Sequence, residues 1–359
     1  MSIRPQPTFN DQCPIHCIAV LEEKDLIATL NYECELVIRR ISDKKIIYHK
    51  TSGFASNIHF LGTNLLIFDR YHFVMLDWEN DIILKERNGF VFSNLEYYLN
   101  YEDNTFQLKA LIDDTVHWEK NQCGVDSFSA KMANDSVLVK TNSKSAVDYQ
   151  LWKFKVNKQI DFKSCILKEI NFTIDNYLLD ASKFINDGKE ILIQQFHFNC
   201  WRVIVFSLDS LQVTENLILE KDSYFPRANY NRIFCYKNQI YYLQDENNLM
   251  RYDQNRKDLN AITLSFKKTS YISFFIFDEK TGTVYFFGVN EILSWHIDSD
   301  ETYLIEFDLP YRLDETTLFS NLSLYASSFS GGVIKVDLKS NDIKSICYAS
   351  DHVNNSHLL

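Results

Sequence analysis

One short pattern returns along the whole chain: an alternating apolar run, then a small polar turn, then a second apolar run. Alternation of apolar and polar residues is typical of half-buried strands, and the polar turns indicate hairpins. A pattern that recurs at a nearly fixed period constrains the architecture strongly, because each copy forms one unit of a repeated structure. The runs are Leu36–Ile41, Phe73–Asp77, Leu151–Val156, Val203–Leu208, Leu249–Asp253, Ile292–Ile297 and Val333–Leu338.

The fourth residue of each run forms a column along the sequence. Most intervals in this column lie between 37 and 52 residues, but the step from Leu76 to Phe154 is 78 residues. Trp118 divides that long step, and the strand-like segment Thr105–Ile112 precedes it. With Trp118 included, the column predicts eight copies with a mean spacing of about 42 residues. The other members are Arg39, Phe206, Tyr252, Trp295 and Val336.

Each copy has room for four short strands, of which the recurring run is the third. Four strands per 40–45 residues are typical of a β-propeller blade, because stacked four-stranded sheets bury both faces and leave only short edges. Helical periodicity is nearly absent, and the best helical segment, Phe90–Asn100, is short. In two copies the predicted strands are 229–236, 239–245, 248–253 and 260–266, and 316–321, 323–329, 332–338 and 343–349.

The turn between the third and fourth strands resembles that of the WD40-like β-propeller family. Repeats of that family show apolar alternation followed by Trp and Asp, and they open with a Gly-His pair that is missing here. The resemblance covers most of the chain, implies the architecture alone, and carries over no functional residue. The residues that carry it are Trp118 and Trp295, the aromatic substitutes Phe154, Phe206 and Tyr252, and Asp77, Asp253 and Asp337.

The predicted fold class is therefore all-β, a propeller of four-stranded antiparallel blades. The column gives eight blades. Seven is the commonest number in the family that the chain resembles, and one irregular blade over 90–165 would give seven. We favour seven blades and leave eight open. We predict one propeller domain over 1–359, with 1–13 as an N-terminal extension suited to closing the ring and 350–359 as a flexible C-terminal tail. The alternative is a pair of β-sandwiches with a boundary between 165 and 180.

Charge and hydropathy narrow the classes of partner. The formal net charge is −11, whereas binding to a phosphate backbone needs a basic surface, so we expect no nucleic acid and instead a protein partner with a basic patch. The N-terminal residues lack the apolar core of a secretory signal, and no apolar stretch is long enough to span a bilayer. We therefore expect a cytoplasmic protein without membrane insertion, whose eight cysteines are reduced thiols.

Two segments carry metal-ligand residue types: Cys13, His16 and Cys17 in one, and His197 with Cys200 in the other. Neither spacing is that of a usual zinc knuckle, so we interpret both as strands with alternating buried side chains. The sequence contains no nucleophile elbow and no phosphate-binding loop. We accordingly assign no catalytic, cofactor-binding or metal-binding residue, and we expect no cofactor.

Acidic pairs and aromatic pairs are the remaining candidates. The acidic pairs fall at predicted hairpin tips and are interpreted as solvated turns, and Asp278–Gly282 resembles the start of a calcium loop but lacks the later oxygen ligands. The aromatic pairs are interpreted as packing between blades rather than as a stacking surface. The acidic segments are Asp113–Asp114, Asp245–Glu246 and Asp298–Glu301, and the aromatic pairs are Tyr97–Tyr98, Tyr241–Tyr242, Phe274–Phe275 and Phe286–Phe287.

These observations favour a non-catalytic platform for protein–protein interaction, such as a scaffold, an adaptor or an inhibitor of the immunity type. The absence of a catalytic motif and the acidic balance both support this hypothesis. The alternative is a propeller enzyme, a hydrolase or lyase that acts on a sugar or lactone, with His, Asp or Glu side chains in the channel. For that alternative the first residues to inspect are His16, His59, His197 and His296.

Overall fold

Eight four-stranded antiparallel sheets make up the chain, each a simple meander in which consecutive strands are neighbours. The computed structural model describes residues 15–53, 55–144, 147–170, 182–197, 200–218, 233–243, 248–255, 258–263, 274–288, 291–306, 313–320, 323–328, 332–338, 340 and 343–347. The sheets are the blades of an eight-bladed β-propeller. The predicted extension 1–13 and tail 350–359 lie outside the described residues.

Blades 1 to 4 cover the first half of the chain. Blade 1 consists of β1 (Ile15–Leu21), β2 (Leu26–Asn31), β3 (Glu35–Arg40) and β4 (Ile46–Thr51). Blade 2 consists of β5 (Asn57–Leu61), β6 (Asn64–Phe68), β7 (His72–Asp77) and β8 (Ile82–Asn88). Blade 3 consists of β9 (Phe90–Val91), β10 (Tyr97–Glu102), β11 (Thr105–Ala110) and β12 (Val116–Asn121). Blade 4 consists of β13 (Ser127–Ala133), β14 (Ser136–Asn142), β15 (Val147–Lys153) and β16 (Lys158–Asp161).

Blades 5 to 8 cover the second half. Blade 5 consists of β17 (Ser182–Ile185), β18 (Glu190–His197), β19 (Cys200–Ser207) and β20 (Gln212–Ile218). Blade 6 consists of β21 (Ile233–Tyr236), β22 (Gln239–Leu243), β23 (Asn248–Asp253) and β24 (Asp258–Thr263). Blade 7 consists of β25 (Phe274–Asp278), β26 (Thr283–Phe287), β27 (Glu291–His296) and β28 (Glu301–Glu306). Blade 8 consists of β29 (Leu313–Ser320), β30 (Ser323–Ser328), β31 (Val333–Asp337) and β32 (Ile343–Cys347).

Helix is scarce in the described part of the chain. The α-helix α1 (Phe162–Ile170) follows blade 4, and two 3-10 turns occupy Glu22–Lys24 and Phe154–Val156. The described segments include no helix with the length and apolar character that crossing a membrane requires. The predicted helical segment Phe90–Asn100 was wrong, because those residues contribute to β9 and β10, where β-branched and aromatic side chains pair across the blade.

The predicted propeller of four-stranded antiparallel blades is confirmed. The number of blades is eight, the count that the column gave and that was left open, and not the seven that we favoured, because residues 90–161 form two blades and not one irregular blade. The recurring runs lie on or directly after the third strand of their blades, and the strands of blades 6 and 8 match the predicted bounds to within a few residues. The assignment of Trp118 to the column was wrong. Trp118 lies on the fourth strand, β12, and the third strand of blade 3 is the preceding segment, β11.

A recurring β-bulge shows which residue of blade 3 replaces Trp118. The pairing of third and fourth strands shifts register just before Arg39, Leu76 and Phe206, three members of the column. The same shift in blade 3 comes just before Lys109. A bulge bends and twists the strand at a fixed place in the blade. Lys109 is therefore the structural equivalent in blade 3 of these column residues.

Burial follows the strand order within each blade. The second strand is the most buried, with every residue of β2 and β26 buried, whereas the fourth strand of blade 2, β8, is exposed almost throughout. A strand flanked by a neighbour on each side and by a blade above and below loses most of its surface to apolar contacts. This gradient explains why the second strands read as nearly continuous apolar runs.

The chain divides into two compact units, one with blades 1, 2 and 8 and the other with blades 3 to 6 and most of blade 7. In the first unit, Ile18 and Ile27 of blade 1 share an apolar cluster with Tyr325 of blade 8. The Tyr325 hydroxyl donates to the Glu22 carboxylate at 2.6 Å, and Lys335 Nζ lies 3.0 Å from the same carboxylate. The first and last blades are thus joined by both apolar and polar contacts.

Candidate functional site

A cavity in the second unit lies where turns of blades 5, 6 and 7 meet. In an antiparallel meander the first and third turns of a sheet lie at the same edge, because the chain reverses direction at every turn. Here the first turns of blades 5, 6 and 7 and the third turn of blade 5 enclose a cavity of about 610 Å³, named below the acidic cleft. It is lined by Asn186, Asp187, Lys189, Glu190, Ser207, Asp209, Cys235, Tyr236, Lys237, Asn238 and Glu279.

Tight hairpin turns present these side chains. Lys237 and Asn238, between β21 and β22, have φ values of 48° and 61°, which is the left-handed geometry of a two-residue hairpin turn. The turn between β17 and β18 places Asp187 and Gly188 in the same region, at 53° and 74°. A Cβ atom at Gly188 would lie 2.9 Å from the Cβ atom of Ala133 in blade 4, so glycine permits this close approach.

Carboxylates outnumber cations in the lining. Asp187, Glu190, Asp209 and Glu279 face two lysines, and one of these is already neutralised by an ion pair. Lys237 Nζ lies 2.7 Å from Asp298 of blade 7. The cleft therefore carries a net negative charge.

The Lys237 ion pair also fixes a neighbouring tyrosine. The Tyr236 hydroxyl donates to Asp298 at 2.9 Å, and Lys237 Nζ lies 5.0 Å from the centre of the Tyr236 ring. The hydrogen bond with Asp298 raises the pKa of Lys237, and the bonds from Lys237 and Tyr236 lower the pKa of Asp298. The ammonium of Lys237 is thus directed towards blade 7.

The floor of the cleft is a hydrogen-bonded group between blades 5 and 6. The Asn186 amide donates to Glu190 at 2.5 Å, and the Cys235 thiol lies 3.8 Å from the Asn186 oxygen. Burial, together with the negative charge of Glu190, raises the pKa of Cys235 to about 12. This thiol stays protonated at neutral pH, so it acts as a small packed side chain rather than a nucleophile.

A lysine lies directly behind this floor. The Lys183 ammonium, on β17, donates to the Ile233 carbonyl of β21. The residue as a whole is half-buried, and burial of its ammonium lowers the pKa of Lys183 to about 8. A neighbouring cation, Lys131, lowers the pKa further, while Cys235 and Glu279 oppose that effect.

This arrangement favours the binding of a cation. Asp187, Asp209 and Glu279 are exposed, so their carboxylates can accept hydrogen bonds from an entering group. Ammonium and guanidinium groups make short, strong hydrogen bonds to carboxylates. The volume exceeds that of one side chain and is sufficient for a short segment of polypeptide.

The histidines named from the sequence make local contacts where their side chains are described. His16 stacks on Tyr32 with ring centroids 4.9 Å apart, His59 Nδ1 lies 2.7 Å from the carbonyl of Phe60, and His296 Nδ1 lies 3.0 Å from the hydroxyl of Ser299. Each of these contacts stays within its own blade. The side chains of His197 and Cys200, and all of Cys13, lie outside the described residues.

The Cys17 thiol contacts backbone rather than a ligand. It accepts a hydrogen bond from the Ile58 amide at 3.3 Å, and burial raises its pKa. Where side chains are described, no three His, Cys, Asp or Glu residues lie together in a metal-binding group. The described cysteines Cys17, Cys34, Cys123, Cys165 and Cys235 are free thiols, as expected.

The acidic segments lie in turns, as predicted wherever they are described. Asp113 accepts a hydrogen bond from the Thr115 amide at 3.0 Å, and Asp278 accepts one from the Thr281 hydroxyl at 2.7 Å. Asp300 accepts the indole N–H of Trp295 at 2.8 Å. These contacts stabilise hairpins, and Asp245–Glu246 lies outside the described residues.

The interpretation of the aromatic pairs as packing is confirmed where their side chains are described. Tyr98, Tyr241, Phe286 and Phe287 are fully buried, and Phe275 is nearly so. Tyr241 stacks on Phe234 with centroids 4.7 Å apart. No stacking surface arises from these residues, because their rings fill the space between neighbouring blades.

Sequence reasoning missed the acidic cleft. Its two principal turns, around Asp187 and Lys237, are about 50 residues apart, and only the stacking of consecutive blades brings them together. The spacing of the repeat contains a signal that could have located the cleft. When the sequences of consecutive blades are aligned, the first turn of one blade must lie beside the first turn of the next. The polar segments Asn186–Glu190 and Tyr236–Asn238 both lie at or directly after the end of the short first strand of their blade.

Comparison with known proteins supports the fold alone. No family model matches the chain, and no curated protein does. The Dos1 propeller is similar at 12% identity and a TM-score of 0.58, over 91% of this chain and 93% of that chain. At such low identity a structural likeness shows architecture and not activity.

Two other solved structures give the same result. The dihydro-heme d1 dehydrogenase NirN, in complex with DHE, is similar at 13% identity and a TM-score of 0.57, over 95% of this chain and 75% of that chain. Dipeptidyl peptidase 4 of Porphyromonas gingivalis is similar at 10% identity and a TM-score of 0.59, over 97% of this chain but only 61% of that chain. The chain is a β-propeller.

Proposed function

We propose that this protein is a non-catalytic protein-binding platform, a scaffold, adaptor or inhibitor, and that its acidic cleft takes a basic segment of a partner protein. The observation that carries the proposal is the combination of a cavity of about 610 Å³ with a lining in which carboxylates outnumber cations. Turns displayed by a rigid sheet scaffold are the usual place for recognition residues. The reduced cysteines are in keeping with a cytoplasmic location, which we also propose.

Charge supports a basic partner at two length scales. Over long range, the net charge of −11 attracts a cationic partner and accelerates encounter. At short range, the exposed carboxylates of Asp187, Asp209 and Glu279 supply acceptors for lysine or arginine. Lys237 competes weakly with an entering cation because Asp298 holds its ammonium.

A pair of matched variants tests the proposal. Asp187→Asn with Asp209→Asn neutralises the cleft, and asparagine suits the left-handed backbone of position 187. Glu79→Gln with Glu119→Gln, at exposed positions in blades 2 and 3, gives the same net charge with the cleft intact. The ligand is a fluorescent peptide of alternating lysine and serine, and the measurement is its anisotropy at physiological ionic strength.

We expect the cleft variant to bind the peptide about tenfold more weakly than the native chain, equivalent to about 1.4 kcal/mol. The control variant should lose much less, because exposed charges far from a site act only through screened, long-range attraction. Equal losses in the two variants would mean that binding reports the net charge alone, and the cleft would then not be the site.

A further inference from the structure

One cation of the cleft lining already occupies a binding position at the rim. Lys237 Nζ lies 2.8 Å and 2.7 Å from the two carboxylate oxygens of Asp298, on the third turn of blade 7. The same ammonium lies 5.0 Å from the centre of the Tyr236 ring. A carboxylate beside an aromatic face favours an ammonium, because the opposite charge and the electrons of the ring attract it together. The chain therefore places its own lysine where a lysine of another chain could bind.

The ring and the carboxylate are also held by contacts that do not involve Lys237. The Tyr236 hydroxyl donates to Asp298 at 2.9 Å, and the Tyr236 ring meets Phe277 of blade 7 edge-on with centroids 5.6 Å apart. A Cβ atom at Gly282 would lie 2.8 Å from the ring carbon that bears the hydroxyl, so glycine lets the ring lie against the first turn of blade 7. A site fixed in this way needs little reorganisation when its occupant changes.

The ion pair itself is exposed to water. The side chain of Lys237 keeps 64% of its accessible surface, and that of Asp298 keeps 43%. Exposed pairs contribute little to stability, because water and salt screen them and because ordering two side chains costs entropy. A cation of a partner can therefore exchange with the Lys237 ammonium without disturbing the fold. At the other carboxylates of the cleft Lys237 competes weakly, but at Asp298 it is the occupant itself.

We propose that Lys237 is an autoinhibitory side chain: it fills a lysine-binding subsite formed by Tyr236 and Asp298, and a lysine of the basic partner segment displaces it. This inference rests on the proposed function, because the segment that brings the lysine is the one that enters the acidic cleft. Tyr236 and Lys237 both line the cleft, so the subsite is continuous with it. The exchange conserves the charge at Asp298, because one ammonium replaces another.

Self-occupancy makes partner binding weaker than an open subsite would allow. The apparent affinity of a ligand falls in proportion to the fraction of protein in the binding-competent state, and the internal pair reduces that fraction. Removing the ammonium of Lys237 leaves the subsite open at all times. Lys189 gives the internal comparison, because it is also an exposed lysine of the cleft lining and lies on the first turn of blade 5.

The test compares Lys237→Asn with Lys189→Asn, two variants that change the net charge equally. Asparagine suits the left-handed backbone of position 237, where φ is 48°, and its side chain is shorter than that of lysine. The ligand is the fluorescent lysine–serine peptide, measured by anisotropy at physiological ionic strength. We expect Lys237→Asn to bind it about fourfold more tightly than the native chain, as the modest strength of an exposed ion pair allows. Lys189→Asn should gain less than about twofold, through screened attraction alone.

A double variant separates the subsite from the net charge. Lys237→Asn with Asp298→Asn has the formal net charge of the native chain but lacks the subsite carboxylate, so the gain should disappear. Thermal unfolding followed by circular dichroism checks that each variant is folded. Equal gains in the two single variants, or a gain that persists in the double variant, would overturn the proposal.

Failure of this inference is distinct from failure of the proposed function. If Asp187→Asn with Asp209→Asn weakens binding more than its control, but Lys237→Asn gains no more than Lys189→Asn, the cleft binds the peptide and the Lys237 pair is only structural. If the acidic variants lose equally, the cleft is not the site, and the subsite has no basic segment to receive.

Discussion

Blades 1 and 2 pack against each other in the same way as blades 5 and 6, but the side chains at these two contacts differ. Blades 1 and 2 share an apolar cluster that includes Leu30, Leu65 and Trp78, and the thiol of Cys17 bonds to backbone beside it. Blades 5 and 6 also share an apolar cluster, but Lys183 and Cys235 introduce polar atoms at its edge. The polar bonds that join blades 1 and 2, from Tyr48 and Lys50 to Asp81, are exposed, whereas the Lys183 ammonium and the Cys235 thiol are buried. The contact between blades 1 and 2 is called the dry seam below, and the contact between blades 5 and 6 the polar seam.

The difference shows where function is accommodated in a repeated fold. Apolar burial at the seam between blades 1 and 2 stabilises the first unit. At the seam between blades 5 and 6, a cavity lies beside the turns, and burial displaces the pKa values of Lys183 and Cys235 in opposite directions. Titratable groups whose pKa values are shifted in this way are candidates for functional sites.

The largest effect that we expect is in thiol reactivity. The raised pKa of Cys235, about 12, leaves about 1,000-fold less thiolate than a thiol at 9.0. Cys17 also has a raised pKa, whereas Cys123 is exposed. With a thiol-specific disulfide reagent at pH 8 and peptide mapping, Cys123 should react first and Cys17 and Cys235 only slowly. Fast reaction at Cys235 would show that the two seams do not protect their thiols alike.

Core truncation should separate the seams by a smaller amount. Leu65→Ala removes a fully buried side chain from the dry seam, and we expect a loss of about 4 kcal/mol in the free energy of unfolding. Leu192→Ala, at the other seam, should cost about 2 kcal/mol, because position 192 pairs with Lys183, whose flexible side chain can move into the space. Urea denaturation followed by fluorescence measures both.

The order of the two losses is the informative result. Equal losses would show that the polar seam packs as tightly as the dry one. A larger loss for Leu192→Ala would reverse the comparison and show that blades 5 and 6 depend more on apolar contact than blades 1 and 2 do.

Sequence alone predicted the repeat well because each blade is a local meander. The turn residues and apolar alternation of Leu249–Asp253 or Val333–Leu338 fix a third strand with no reference to distant residues. Local pattern failed at blade 3, where the equivalent residue is Lys109 and Trp118 lies one strand later. An aromatic residue suits third and fourth strands equally, so composition could not decide between them.

The candidate site was beyond such reasoning for a different physical reason. Lys183 stands in a short strand between Ser182 and Phe184, and nothing nearby in sequence distinguishes it from a lysine exposed to water. Its burial depends on Ile233 of the next blade, 50 residues away. The shift in the pKa of Lys183 comes from its environment, and packing between residues far apart in sequence creates that environment.

The smallest effect, the pH dependence of stability, tests the polar seam directly. In the unfolded chain Lys183 has the ordinary lysine pKa of 10.5, whereas in the folded chain its pKa is about 8. Between these values the unfolded state binds more protons, so this residue makes the free energy of unfolding rise with pH. The thiol of Cys235 acts in the opposite direction above pH 9, because only the unfolded chain ionises there.

A variant isolates the lysine from the thiol. In Lys183→Met the Cys235 contribution persists, so it cancels when the variant is compared with the native chain. At pH 7 the methionine avoids burial of an ammonium, and the advantage of the variant over the native chain should shrink by on the order of 2 kcal/mol between pH 7 and pH 10.5. Urea denaturation at several pH values measures this difference. A constant difference would mean that the Lys183 ammonium is as well solvated in the folded chain as in the unfolded one, and the seam between blades 5 and 6 would then be open to water.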